Sequence, residues 1–142
     1  MNKAFDKINH TKLLEKLSRF GISPKFLNLI NSVLSGRKQI VRYNSCLPDM
    51  ADVRSGVPQV SVLTPLLFAV YINDLLKKDF INKIVCYADD IKLAGAPSDS
   101  LNTNLRVFAE WMLDNYMSVN TSKCETIHFG KNNPCRKYCY QG

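Results

Sequence analysis

No stretch of the 142-residue chain approaches the roughly 20 uninterrupted apolar residues that cross a bilayer, so a membrane-spanning helix is excluded. The opening Met1-Asn2-Lys3-Ala4-Phe5-Asp6 lacks the apolar core of a secretion signal, because charges recur every few residues. The compartment expected is therefore the cytoplasm or the nucleus. Cysteines number five, an odd count that argues for reduced thiols and against a disulfide framework. Glycine and proline, six of each, are too sparse for a collagen-like or low-complexity chain. Neither an internal repeat nor a linker long enough to separate two domains is visible. Acidic residues are also scarce, 12 against 19 basic, which gives a net charge of +7.

That charge is uneven. Residues 1–60 hold ten basic and four acidic side chains, whereas 61–142 hold nine and eight. A basic front half attracts a polyanion, nucleic acid first of all, although solubility alone would also explain it. The hydrophobic content of 46% is enough for a real core in a chain of this length.

The apolar spacing predicts a helix after Asn9-His10-Thr11, carried by Leu13, Leu14, Leu17 and Phe20 and stopped by Gly21. Ser23-Pro24 reads as the cap of a second helix, with Phe26, Leu27, Ile30, Val33 and Leu34 on its stripe and Gly36 at its end. Lys38 to Tyr43 and Ala51 to Arg54 read as short strands around a turn. A helix from Pro65, apolar on all sides through Ile72, reads as a core element. Ser98 or Asp99 would cap a long helix carrying Leu101, Leu105, Phe108 and Met112, and an extended Thr126–Phe129 would follow.

Between these helices, two apolar arms, Ile84–Ala88 and Ile91–Ala94, flank Asp89-Asp90, the pattern of a β-hairpin whose tight turn displays both acids. Adjacent carboxylates repel, and burial penalises both unless a cation lies between them. A divalent ion such as magnesium, bound through oxygen, solves that problem and serves phosphoryl transfer. An exposed Asp-Asp turn without any ligand is the competing reading. Cys124, His128, Cys135 and Cys139 would suit zinc only if their segments fold together, and otherwise are small thiols in a strand and a tail.

These motifs together resemble the palm of reverse transcriptases of the non-LTR (LINE-like) retrotransposon type, from residue 3 to about residue 130. Ala4-Phe5-Asp6-Lys7-Ile8-Asn9-His10 is similar to the end of that family's first palm motif, and the Leu13–Leu17 helix follows it as usual. Arg37-Lys38-Gln39-Ile40-Val41 resembles the basic strand, and Ser55-Gly56-Val57-Pro58-Gln59 with the run to Phe68 resembles the second motif, extended by Tyr71-Ile72-Asn73-Asp74-Leu75. Tyr87-Ala88-Asp89-Asp90 is similar to the polymerase signature, and Asn120-Thr121-Ser122-Lys123-Cys124 to the later lysine motif.

The resemblance implies an α+β fold: a partial polymerase palm with an Asp-Asp hairpin packed on helices, lacking the upstream palm strand, complete fingers and thumb. It implies a palm over 1–130 and a basic, flexible tail over 131–142. By the same resemblance Asp89 and Asp90 are catalytic and hold magnesium, with manganese as the alternative. Phe5 and Gln59 would meet the incoming dNTP, and Lys123 would protonate or neutralise the departing pyrophosphate. Arg37, Lys38 and Arg42 would hold nucleic-acid phosphates without reading bases. The implied partners are an RNA template, a DNA primer and a dNTP, with no membrane and no obligate protein partner.

The pattern also departs from the family. The first motif's aspartate lies four residues before the alanine matched by Ala4, a position just ahead of Met1. Val60 and Thr64 stand where the family has glycine, and a β-branched Val60 is expected to crowd the nucleotide pocket. Thr64 is expected to be milder, as a cap for the helix at Pro65. On these grounds the chain alone is expected to be inactive. A decayed or repurposed fragment that binds nucleic acid weakly, without catalysis, is the alternative to a polymerase segment.

Overall fold

The computed structural model describes residues 1, 3–40, 50–58, 62–96 and 100–140. The chain divides into two compact units, Phe5–Tyr71 and Met1–Ala4 with Ile72–Gly142. Helices and two small antiparallel sheets make it an α+β protein.

In the Phe5–Tyr71 unit, a 3-10 turn over Ala4–Asp6 leads into α1 (His10–Arg19), whose first turn is capped by the Asn9 side chain accepting from the Lys12 amide at 3.0 Å. Gly21, at φ +80°, reverses the chain into α2 (Pro24–Leu34), which packs on α1. Proline at the first position of α2 removes a donor that no helix could satisfy there. Ser23 caps by backbone only, without a side-chain bond. The buried stripe of this hairpin is Leu13 and Leu17 of α1 with Ile30 and Leu34 of α2. Of the other apolar residues of α2, Leu27 is half-buried and Phe26, Leu29 and Val33 stay exposed. Two-residue strands β1 (Lys38–Gln39) and β2 (Ala51–Asp52) pair antiparallel, Lys38 opposite Asp52. The end of the expected first strand, 41–43, and the expected turn, 44–49, lie outside the described residues.

Helix α3 (Leu63–Ile72) starts two residues before Pro65. It is not buried all round, as its composition suggested. Leu67, Phe68, Tyr71 and Ile72 are buried, but Leu66 is 61% exposed and Leu63 43%. An apolar helix is covered only where a neighbour reaches it, and hydrophobic composition alone does not supply that neighbour. Tyr71 is fastened to α1 from both ends: its hydroxyl accepts from the Asn9 amide at 3.4 Å, and its carbonyl accepts from Nζ of buried Lys16 at 2.6 Å. The Lys16 ammonium also sits 4.5 Å from the Tyr71 ring centre, a cation–π contact.

In the second unit, β3 (Lys83–Tyr87) and β4 (Asp90–Ala94) form a hairpin beside α4 (Ser100–Asp114). The expected caps of α4, Ser98 and Asp99, lie outside the described residues. Phe108, Ala109, Trp111 and Met112 bury the helix face, while Leu101 and Leu105 are half-buried. Asn104, fully buried, ties the helix to the start of the hairpin. Its Oδ1 accepts from the Ile81 amide at 3.0 Å and its Nδ2 donates to Asn82 Oδ1 at 2.8 Å. The Ser100 hydroxyl also donates to Asn82 Oδ1, at 2.9 Å. Gly95 closes against the same amide, since a Cβ there would come within 2.1 Å of Asn82 Nδ2. Trp111 Nε1 donates to Asp74 Oδ1 at 3.1 Å. Residues 126–129, expected to be extended, belong to no strand.

Candidate active site

The Asp-Asp hairpin forms, but its turn displays only Asp89, because Asp90 already opens β4 and pairs with Tyr87. The register pairs Ile84 with Leu93 and Cys86 with Ile91 on a half-buried face, and Val85 with Lys92 and Tyr87 with Asp90 on an exposed one. Two residues, Ala88 and Asp89, make the turn. Ala88 adopts φ +49°, the left-handed geometry that matches a two-residue turn to the twist of its strands. For a residue with a Cβ that conformation costs about 1–2 kcal/mol, so the hairpin carries backbone strain at its tip, the position of its acids.

Asp89 is partly exposed, its side chain 41% accessible, and Asp90 is exposed as the first residue of β4. The nitrogen of Met1 donates to the Asp89 carbonyl at 3.0 Å and lies 4.0 Å from its carboxylate. On the covered face, burial pushes the Cys86 thiol up from its ordinary value. Lys123 ends a 3-10 turn over Thr121–Lys123 and is exposed. Among the described residues, no three of His, Cys, Asp and Glu gather into a metal cluster. Cys124, Cys135 and Cys139 are exposed free thiols, so the zinc reading gains no support.

The nucleotide-pocket candidates belong to the Phe5–Tyr71 unit. Phe5 is half-buried, its ring 4.7 Å from that of Phe68 at 43°. The loop leading to Gln59 is laced to the turn around Phe5. The Val57 amide donates to the Phe5 carbonyl at 2.9 Å, the Gly56 amide to Ile8 at 2.8 Å, and the Ser55 hydroxyl to Asp6 at 2.8 Å. Gly56 is required twice over: its φ is +79°, and a Cβ would lie 2.6 Å from Asp6 Cα. The Gly56 carbonyl accepts from Arg37 Nη2 and meets His10 Nε2, both at 2.8 Å. An oxygen facing that ring nitrogen requires the hydrogen on Nε2. Thr64, buried inside α3, donates its hydroxyl to the Pro58 carbonyl, so it braces the loop from the far side.

Gln59, Val60 and Arg42 lie outside the described residues. Lys38 is exposed on β1, as a phosphate contact requires. Arg37 is engaged within its own unit: Nη2 also donates to the Ser55 carbonyl at 3.2 Å, and Nε is buried with no hydrogen-bond partner among the described residues. Sequence reasoning missed His10 as a brace of this loop, having read it only as a helix start. It also missed Asn104, although a carboxamide four residues before Phe108 on the apolar stripe was a visible signal of a buried polar tie.

Comparison with known proteins supplies the family. Residues 1–140 match the family described as reverse transcriptase (RNA-dependent DNA polymerase), and the chain belongs to it. It is 31% identical over 142 residues to the RNA-directed DNA polymerase from mobile element jockey of Drosophila funebris, covering 91% of this chain and 15% of that protein. The probable RNA-directed DNA polymerase from transposon X-element of Drosophila melanogaster is 30% identical over 91% of this chain and 15% of its own length. That from transposon BS of the same species is 30% identical over 95% of this chain and 16% of its length. The chain thus spans about one-sixth of these relatives, as part of a reverse transcriptase domain homologous to those of non-LTR retrotransposons.

Proposed function

We propose that this chain is the palm portion of an RNA-directed DNA polymerase, in which a primer 3′-hydroxyl attacks the α-phosphate of a dNTP on an RNA template and pyrophosphate leaves. The observation that carries the reading is Tyr87-Ala88-Asp89-Asp90 at a strained two-residue hairpin turn. The contact of Met1 with that turn accords with it, since the resemblance puts the strand leading toward Ala4 beside the Asp-Asp hairpin. Residues 1–130 would be the palm and 131–142 an appended basic segment.

Asp89 and Asp90 offer hard carboxylate oxygens, the first partly and the second well exposed, a donor set suited to magnesium or manganese. When bound there, the ion would stabilise charge on the attacking and leaving oxygens. The chain's own groups supply the rest. Phe5, held against Phe68, would be the flat floor under the deoxyribose, where its ring takes the space of a 2′-hydroxyl. Gln59 would meet the nascent base pair from the end of the loop that Gly56, Arg37, His10 and Thr64 hold in place. Lys123 would give a proton or a positive charge to the leaving pyrophosphate. Lys38 and Arg42 would carry backbone phosphates, and Arg37 would serve mainly to hold the loop.

The test is a chimera in which these residues replace the matching segment of the jockey polymerase, assayed by primer extension with magnesium. Extension should fall by at least about 100-fold in Asp89→Ala, the scale of losing a group that stabilises transition-state charge. Val60→Gly should raise the rate if the crowding expected at that position is real. A chimera as active with Asp89→Ala as without it would refute the assignment. One inactive even with Val60→Gly, yet still binding nucleic acid, would favour the decayed, non-catalytic reading.

A further inference from the structure

We infer that β3 is a dimerisation edge, along which this chain pairs with a second copy of itself about a two-fold axis at Val85. The sheet of the second unit has two strands, so β3 has one side without a neighbour among the described residues. The hairpin turn decides which backbone groups face that side. Tyr87 and Asp90 close the two-residue turn as a hydrogen-bonded pair. Antiparallel ladders alternate, so Val85 with Lys92 and Lys83 with Ala94 are hydrogen-bonded pairs as well. The amides and carbonyls of Ile84 and Cys86 therefore point away from β4. No backbone hydrogen bond joins either residue to another described segment. Such a row is a template for a further strand unless a bulge, a proline or charge blunts it. β3 has neither bulge nor proline, and its one charge, Lys83, stands at its end.

The sequence of β3 is complementary to itself, which selects a second copy as the occupant. Two such strands laid antiparallel about Val85 bring Ile84 opposite Cys86 of the second copy, and the reverse. Those are the residues with outward backbone groups, so all of these groups are satisfied in reciprocal pairs. A slip by one residue would set outward groups against inward ones and exposed side chains against half-buried ones. A slip by two would leave the ends of both strands unpaired. On the exposed face, Val85 meets Val85 of the second copy in a pair without hydrogen bonds, where Cα atoms approach to about 4.5 Å. Lys83 meets Tyr87 of the second copy, whose ring is 83% exposed and has Asp90 as its cross-strand neighbour. An ammonium is attracted both to that ring and to the carboxylate beyond it, and symmetry repeats the contact. Because both copies use the same surface, the assembly closes at two. The Ala88-Asp89 turn lies past the end of β3, so the inference does not depend on whether the acids are catalytic.

The experiment is sedimentation velocity on the full 142-residue chain over about 1 to 300 µM, a range suited to a small interface. The mass should rise with concentration from 16.1 kDa toward twice that value and stop there. Val85→Lys places like charges on the axis and should hold the chain monomeric throughout, with the far-UV circular dichroism of the parent, since Val85 is 43% exposed. Val85→Thr should keep the dimer. Lys83→Ala and Tyr87→Ala should each weaken it about tenfold, two symmetric contacts being lost, and the double variant little more than either. The register is read by Val85→Cys in a chain whose five natural cysteines are replaced by Ser. Glutathione disulfide takes two electrons and two protons from the paired thiols, leaving a disulfide-linked dimer and two reduced glutathiones. Lys92→Cys, on the same face of β4, should not link. A chain monomeric at every concentration would overturn the inference, as would assemblies that grow past the dimer. So would equally fast linking at Lys92→Cys, or a dimer that withstands Val85→Lys and is lost through Leu29→Lys on the exposed side of α2.

Discussion

Gly56→Ala tests the link between the turn around Asp6 and the loop that leads to Gln59. The substitution meets two separate obstacles. At φ +79° an alanine is left-handed, at a cost of about 1–2 kcal/mol. Its Cβ would also arrive 2.6 Å from Asp6 Cα and 2.8 Å from the carbonyl oxygens of Phe5 and Asp6. Those are backbone atoms, so the loop must move as a body, adding the roughly 1–3 kcal/mol typical of overpacking. The Gly56–Ile8, Val57–Phe5 and Ser55–Asp6 hydrogen bonds stretch with it. Gly36 provides the control, because it has φ +66° and open space for 4 Å around the place a Cβ would take, so alanine there meets only the first obstacle. The expected destabilisation is therefore about 2–5 kcal/mol at Gly56 and about 1–2 kcal/mol at Gly36. For a chain of this size, the first corresponds to a Tm lower by roughly 8–20 °C. Urea and thermal melts followed by far-UV circular dichroism measure both. If Gly56→Ala were no more destabilising than Gly36→Ala, the close approach to Asp6 would play no part in stability.

Asn104→Leu should cost about 2–3 kcal/mol in the same melts, because it leaves the Ile81 amide without its buried acceptor and breaks the Asn82 tie; a neutral result would mean that water replaces both bonds. Lys16→Met keeps most of the apolar stem but leaves the Tyr71 carbonyl without its donor, for an expected loss of about 1–3 kcal/mol. In the chimeric polymerase, His10→Ala should raise KM for dNTP more than it lowers kcat, with His10→Gln restoring part of the effect through its Nε2 donor. Folding raises the Cys86 thiol's pKa, so the folded state keeps that proton longer than the unfolded one. Its stabilising share is then complete below the ordinary thiol value of about 8.5 and is lost as pH rises past it. Cys86→Ala should flatten the fall in stability between pH 7.5 and 10 without abolishing it, as Tyr140 shifts in the same direction; an unchanged slope would remove Cys86 from the account.

The readable parts of the sequence were those governed by local chemistry. Asn9, Gly21, Pro24 and Gly36 mark the ends of α1 and α2 because caps, left-handed turns and prolines act within a few residues. The apolar arms around Asp89-Asp90 gave the hairpin for the same reason, although not its two faces or the place of Asp90 on β4. Long-range pairing was hidden. Arg37 read as a surface cation because its distant acceptors, the carbonyls of Ser55 and Gly56, leave no trace in residue type. The exposed side of α3 was equally invisible, since burial depends on which neighbour covers a helix and not on how apolar it is. The fastening of Thr64 to Pro58 converts an apparent loss of family glycine into a local brace.

Trp111 is the chain's single tryptophan, 2% exposed and bonded through its indole to Asp74. Intrinsic emission excited at the red edge of the absorption band therefore reports on the half of the molecule that carries the acidic hairpin. Ellipticity, by contrast, is drawn largely from α1, α2 and α3 as well as α4. One denaturation series read with both signals would show whether the two halves lose structure together or in sequence, with no label attached.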